Sequence, residues 1–240
     1  MRAASHLPGF FGKLPALGDF VSRRLDSDFI NSWDAWLSEG ISASREQLGA
    51  NWLKAYLTSP IWRFLLSPGN CGSCSWAGIM MPSVDSVGRY FPLTLAVPVY
   101  RRELLPCLFS VAAEWFEELE LSALSALDDE FNIEAFDKKL KALNIPLPPV
   151  ADQKLDVGQK VQKYVNNGTV TIVIEMRGLE QLPEVPGGSG DGLFERLLSV
   201  YSLWSTNGSP LVKPTFLAYN CMPPPTAYVQ LLTGCWRDAI

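Results

Sequence analysis

Four charged side chains in glycine-rich segments of the first hundred residues are the best candidates for chemistry. They are Lys13, Asp19, Asp85 and Arg89. If they shared one pocket, an amine, two carboxylates and a guanidinium could carry out the general acid–base work of an enzyme. The alternative is that the charges form ion pairs and fix the loops that contain them.

Short separations in the sequence favour ion pairing. Arg89 follows Asp85 by four residues, and Arg23 and Arg24 follow Asp19 closely. An arginine fork can hold a carboxylate or a set of loop carbonyls with several hydrogen bonds. We therefore expect ion pairing that fixes loop geometry rather than general acid–base work.

Other familiar sites fit the chain poorly. His6 is the single histidine and lies near the N-terminus, so a Ser-His-Asp or Cys-His site would depend on it alone. The segment 9–14 superficially resembles a phosphate-binding loop, but its glycines are too close together and no Ser or Thr follows Lys13. We expect a turn in this segment.

The spacing of Cys71 and Cys74 is that of a redox motif. No second cysteine pair or histidine completes a zinc site, and the two thiols lie between predicted strands. We interpret the segment as a glycine-rich loop with two chance thiols, and a redox or metal role is the alternative. The odd total of 5 cysteines favours thiols in a reducing compartment.

The composition predicts a globular protein of the cytoplasm. The chain has 240 residues, 48% of them hydrophobic, which is ample for a core. No apolar run approaches the roughly 18–20 residues of a membrane span, and the N-terminus lacks the apolar stretch of a secretory signal. The net charge of -5, without a long basic run, disfavours nonspecific attraction to nucleic acid or to an anionic membrane. Together these features predict neither a nucleic-acid partner nor membrane insertion.

Hydrophobic periodicity predicts helices and strands that alternate along the chain. The first helix is expected at 27–39, capped by Ser27 and ended by Gly40. Further helices are expected at 48–56, 104–119, 193–204 and 226–232. Strands are expected at 61–66, 75–81, 92–99, 169–176 and 215–220, and linkers at 144–159 and 182–192.

This alternation predicts the α/β fold class, as a three-layer α/β/α sandwich around a mixed, partly antiparallel sheet. The connection between the strands at 75–81 and 92–99 is too short for a helical crossover, which implies antiparallel pairing there. We expect an N-terminal region, 1–143, and a C-terminal region, 144–240, packed into one globular unit. Tryptophans on the predicted stripes and strands are expected in the core, namely Trp33, Trp36, Trp52, Trp62, Trp76 and Trp115.

Several short motifs follow one another in the N-terminal half. They are GFFGKLP at 9–15, GDFV at 18–21, WDAWL at 33–37, SPIWRF at 59–64 and MPSVDSVGRYFPL at 81–93. In this order the motifs closely resemble the opening of the TagF (ImpM) family of bacterial type VI secretion systems. The resemblance is strong over 9–99 and weaker at 202–208 and 223–232.

The resemblance implies a non-enzymatic, post-translational repressor of type VI secretion that binds a forkhead-associated (Fha-like) component. It brings no catalytic residues, cofactors or metal. The motif loops supply the candidate partner-binding residues Lys13, Asp19, Ser83, Asp85 and Arg89. The alternatives are an enzyme with a pocket near these charges and a structural subunit of the secretion apparatus.

The motifs can also be interpreted as structural joints. Gly12, Gly18 and Gly88 permit backbone angles that are closed to other residues, and the prolines fix the adjoining turns. In that interpretation the loops lock the fold and need not contact a partner.

Overall fold

An antiparallel sheet organises the chain in this computed structural model, which describes residues 7–101, 105, 108–147, 161–166, 169–175 and 200–236. Within these ranges the strands are β1 (Gly9–Gly12), β2 (Val21–Arg23), β3 (Trp62–Leu66), β4 (Ser75–Met81), β5 (Leu93–Val99), β6 (Val161–Asn166), β7 (Thr169–Glu175), β8 (Ser202–Thr206) and β9 (Thr215–Tyr219). Their spatial order is β2-β1-β5-β4-β3-β8-β9-β7-β6.

Every pair of neighbouring strands among the described residues is antiparallel. The prediction of a mixed sheet was therefore wrong, although the antiparallel pairing of β4 with β5 is confirmed. The reason is topological. The helical segments join β2 to β3 and β5 to β6, and neither of these is a pair of neighbours in the sheet, so no crossover creates a parallel pair.

Six α-helices lie within the described residues. They are α1 (Ser27–Leu48), α2 (Trp52–Leu57), α3 (Leu108–Val111), α4 (Ala113–Ser125), α5 (Ile133–Ala142) and α6 (Tyr228–Thr233). No helix in the part of the chain that the structure describes has the length and apolarity of a membrane span.

The buried side chains form two clusters, and alternate residues of the central strands contribute to different ones. On β3, for example, Phe64 belongs to a cluster with α1, α2 and α6, whereas Leu65 belongs to a cluster with α3, α4 and α5. Successive strand residues point to opposite faces of a sheet. Two clusters of this kind are what the predicted layering requires, and the layering itself stays a prediction.

Two predictions about the ends of helix α1 were wrong. Asp26, not Ser27, occupies the N-cap position, and its side chain makes no capping hydrogen bond. The helix also continues through Gly40 to Leu48. A Cβ on Gly40 would lie 2.8 Å from Cγ of Tyr228, so glycine is required there because α6 packs against the middle of α1.

Among the described residues, the structure confirms five predicted strands and the helix at 226–232 to within a few residues. The helix predicted at 104–119 is divided at Ala112 into α3 and α4. The helix predicted at 193–204 was wrong at its C-terminal end, where β8 lies, because periodicity cannot separate a short, fully buried strand from a buried helix. Residues 193–199, the linker at 182–192 and most of the linker at 144–159 lie outside the described residues.

All the tryptophans that were expected in the core are buried: Trp33, Trp36, Trp52, Trp62, Trp76 and Trp115. Trp76 on β4 packs on Phe29 of α1, with their ring centroids 4.3 Å apart. Its indole N–H donates to the carbonyl of Cys71 at 3.0 Å. Trp76 therefore joins the central sheet to α1 and fixes the cysteine loop before β4.

We predict that Trp76→Ala destabilises the protein by about 3–5 kcal/mol, because it empties a large volume in the core. Glu118→Ala is the control, since Glu118 is exposed on α4, and we expect a change within about 0.5 kcal/mol. Denaturant midpoints of the two variants measure both effects. A near-neutral result for Trp76→Ala would contradict the position of this side chain in the core.

Candidate functional site

Lys13 directly follows the last residue of β1, where two loops meet. Residues 9–12 form a strand paired with β2 and β5, so the turn predicted at 9–14 was wrong. Gly12 adopts a positive φ of 136°, and a Cβ there would lie 2.0 Å from the carbonyl oxygen of Pro92. The close approach of the two backbones requires glycine and sends the chain after β1 toward residues 82–91.

The carboxylate of Asp85 is buried and accepts hydrogen bonds on both oxygens. Its Oδ2 accepts from Lys13 Nζ at 2.8 Å and from Arg89 Nε at 2.6 Å. Its Oδ1 accepts from the backbone N–H groups of Val87 at 3.1 Å and Arg89 at 2.8 Å. The predicted pairing of Asp85 with Arg89 is confirmed, and Lys13 joins it from the other loop.

This environment controls the protonation of Asp85. Burial raises the pKa of its carboxyl group, but the hydrogen bonds from Lys13 and Arg89 outweigh burial and hold the pKa well below its usual value. The carboxylate therefore stays ionised at neutral pH, with donors on both oxygens. A group held in this way is unsuited to general acid–base work, which needs a pKa near the working pH.

Further hydrogen bonds lock together what we term the loop pair, residues 13–20 and 82–91. The Arg89 guanidinium donates to the carbonyl of Gly18, and the Ser83 hydroxyl donates to the carbonyl of Lys13. The backbone N–H of Ser86 donates to the carbonyl of Leu17 at 2.9 Å. The two loops therefore form one rigid structure.

Tyr56 on α2 supports the loop pair, although nothing in the sequence pointed to this role. Its hydroxyl donates to the carbonyl of Ser83 at 2.8 Å and accepts from the N–H of Ser83 at 3.1 Å. A tyrosine at helical spacing in an apolar stripe is typical of a core residue, which Tyr56 also is. Its polar contact depends on the tertiary structure, so no sequence signal could have found it.

The proposed contact residues divide into buried and exposed groups. Lys13, Ser83 and Asp85 are buried, whereas Asp19 and Arg89 are exposed. The interpretation of the motifs as structural joints therefore fits the first group. Gly12 and Gly88 adopt positive φ, as expected, and Gly18 does not.

Two apolar side chains of the loop pair are exposed, and the sequence reasoning did not select them. Val87 is 68% exposed at the tip of the second loop. Phe20 is 47% exposed, and its ring stacks on Phe11 and meets the edge of Phe91. For Val87 the sequence carried a signal, namely an apolar residue directly before a glycine in a polar turn.

The expected pairing of Asp19 with Arg23 or Arg24 was wrong. Both arginines contact Asp137 of α5, Arg23 at 3.1 Å. The Asp19 carboxylate instead accepts from the backbone N–H of Phe20 at 3.2 Å. Arg23 is the last residue of β2 and pairs with Phe10 of β1, whereas Arg24 follows the strand with a positive φ of 60°. Both side chains reach α5, and this tertiary contact overrides proximity in sequence.

The cysteine segment is a loop before β4, as predicted. Cys71 and Cys74 are both free thiols. Burial raises the pKa of the Cys71 thiol to about 12, so it is protonated and unreactive at neutral pH. The loop borders an open cleft of about 250 Å³ at the start of α1. Within the described ranges, no group of three or more potential ligands is placed to hold a metal ion.

Comparison with known proteins identifies the family. Residues 9–143 match the TagF N-terminal domain, described as type VI secretion system-associated. The chain belongs to this family. The solved structures include a similar one, the crystal structure of PA0076 from Pseudomonas aeruginosa PAO1. It shares 36% sequence identity over 95% of this chain and 94% of that chain, with a TM-score of 0.71. No curated protein matches.

The matched TagF region includes the loop pair, β1 to β5 and α1 to α5. Strands β6 to β9 and α6 follow it, and they continue the same sheet because β8 pairs with β3 along Arg63–Leu66 and Ser202–Ser205. The similarity to PA0076 extends through this second part, since it covers nearly the whole chain.

We predict that Asp85 contributes to the pH dependence of stability. Because its pKa is lower in the folded protein than in the unfolded chain, its contribution is present above about pH 4 and is lost as the pH falls through the folded value. Asp85→Asn should be less stable than the natural chain at neutral pH and should lose less stability on acidification. Denaturant midpoints between pH 2 and pH 7 measure this difference.

Asp19→Asn provides the matched control, because this exposed carboxylate lies in the same loop pair and is not ion-paired to any described residue. Its curve should follow that of the natural chain. Parallel curves for the natural chain and Asp85→Asn would show that Asp85 does not have the role assigned to it.

Proposed function

We propose that this TagF-family chain is a non-enzymatic, post-translational repressor of a bacterial type VI secretion system. It acts in the cytoplasm by binding a forkhead-associated (Fha-like) component. Membership of the TagF family supports the link to type VI secretion. The step from association to repression and to this partner is part of the proposal.

The observation that supports the proposal is the ion pairing of Asp85, which joins the two segments of the loop pair. The buried carboxylate of Asp85 is engaged by the buried Lys13 and by the exposed Arg89, so these charges support the two loops. The same contacts hold Phe20 and Val87 at the surface on a rigid frame. Exposed side chains on a preorganised loop lose little conformational freedom on binding, and recognition commonly resides in such loops.

The two alternative functions, an enzyme and a structural subunit, require different properties of the chain. An enzyme with a pocket near Lys13, Asp19, Asp85 and Arg89 would need one of these groups to exchange protons, and the hydrogen bonds to Asp85 disfavour that role. Turnover of a phosphoester, ester or nucleotide substrate that is lost in Asp85→Asn would favour the enzyme. A structural subunit would be present at fixed stoichiometry in the assembled secretion apparatus, where a regulator is scarce or absent.

We predict that excess protein silences type VI secretion while the amounts of the apparatus proteins stay unchanged. A stoichiometric binder occupies its partner by mass action once its concentration exceeds the dissociation constant. Immunoblots of secreted and cell-associated components, over a graded range of expression, measure both quantities. Repression that accompanies a fall in the component levels would point to a different mechanism.

We predict that Val87→Asp weakens both repression and capture of the Fha-like component by about tenfold or more, because it places a charge in an apolar contact. Because the Val87 side chain is 68% exposed, the melting temperature should be nearly unchanged. Leu57→Asp is the matched control, since Leu57 is 54% exposed on α2, outside the loop pair. Equal loss in both variants, or normal capture by Val87→Asp, would exclude the loop tip as the contact.

A further inference from the structure

The outward face of α4 carries apolar side chains that the fold does not use. Leu121 is 56% exposed and Leu124 is 46% exposed, and Leu127 follows at the same spacing with 47% exposure. The opposite side of the helix supplies the core through Trp115, Phe116, Leu119 and Ala123. Leucines in a row on the solvent side of a well-packed helix are typical of a binding surface.

Acidic residues surround these leucines. Glu114, Glu117 and Glu118 precede them, and the run 128–130 follows them, while the segment 113–130 contains no lysine or arginine. All these carboxylates are exposed, and none is ion-paired within the part of the chain that the structure describes. At about 3.6 residues per turn, Glu117, Glu118, Leu121 and Leu124 fall within one third of the helix circumference.

The helix that presents this surface is fixed to the sheet. Glu120 accepts a hydrogen bond from Arg63 Nε at 2.5 Å, and Arg63 is buried in the middle of β3. The Arg63 guanidinium lies over the ring of Phe116, 5.4 Å from its centroid. A partner that docks on α4 therefore meets a preorganised surface and need not order it.

From these observations we infer that the outward face of α4 is a second docking surface, which binds a basic amphipathic helix of a partner protein. The leucines require an apolar stripe on the partner. The carboxylates that precede and follow the leucines require lysine or arginine near that stripe. A second copy of this chain would bring the same negative charges and be repelled. Nucleic acid and anionic membrane are disfavoured for the same reason.

This inference rests on the proposed function only for where the partner is found, namely among type VI secretion components. The α4 surface is distinct from the loop pair. The two surfaces can therefore be tested separately, with different variants.

The probe is a fluorescently labelled peptide of about 20 residues, long enough to form a helix on binding, with leucines at helical spacing and lysines on either side of them. Fluorescence anisotropy measures its affinity for the purified full chain at low and high salt. We expect saturable binding that weakens with salt because charges contribute to it. A scrambled peptide of the same composition should bind at least about tenfold more weakly, a difference of about 1.4 kcal/mol.

Paired variants locate the binding. Leu121→Ser with Leu124→Ser, and Glu117→Lys with Glu118→Lys, should each reduce the affinity at least about tenfold. Leu53→Ser with Leu57→Ser is the matched control, because these leucines are comparably exposed on α2, and it should bind like the natural chain. A peptide with glutamates in place of the lysines should bind the Glu117→Lys, Glu118→Lys variant and not the natural chain.

The inference is overturned if the natural chain does not bind the peptide, if the scrambled peptide binds equally well, or if the α4 variants keep full affinity. Thermal melting of each variant excludes misfolding as the cause of a loss. Peptide binding together with excess protein that fails to silence secretion would refute the proposed function and leave the docking surface standing. Silencing by excess protein without peptide binding would support the proposed function and refute the α4 docking surface.

Discussion

The buried carboxylate of Asp85 is the charge on which the arrangement of both loops depends. It is taken out of water, which is unfavourable unless donors surround it, and it obtains them from Lys13, Arg89 and the backbone of its own turn. The hydrogen bonds to this carboxylate hold the segment after β1 against the turn before β5. This carboxylate therefore fixes what the loop pair presents to solvent, including the exposed Val87 and the half-exposed ring of Phe20, which also packs on Phe11 and Phe91.

The same interaction separates the possible functions. A carboxylate with a lowered pKa and donors on both oxygens is suited to structure and poorly suited to proton transfer. In the proposed function the loop pair is a rigid support for recognition, and the α4 face is the proposed second surface, of different chemistry. One surface is apolar at its tip with mixed charges nearby, and the other is leucine-rich and acidic. If both proposed surfaces engaged one partner, the second contact would form within the complex, and the overall affinity would exceed that of either contact alone.

Much of the architecture could be predicted from the sequence, and the failures have identifiable causes. Strands such as β4 and β5 are bounded by glycine and proline and joined by a short connection, so both their limits and their pairing were evident. The residues around Trp204 were misassigned because a fully buried strand has no periodicity of its own. Gly40 looked like a helix end, but it is required by the contact of α1 with Tyr228. The partners of Arg23 and Arg24 lie on α5, more than a hundred residues away, where no local rule reaches.

We propose that this chain acts by binding an Fha-like component through surfaces held by its fold. Hydrogen–deuterium exchange of the purified chain, with and without a saturating amount of the purified Fha-like component, reports whether those surfaces are bound. We expect slower exchange of the backbone amides of residues 86–89, whose hydrogen bonds hold the loop tip, while amides of the control helix α2 stay unchanged. Unaltered exchange throughout the chain at saturating partner would contradict the claim that this component is bound.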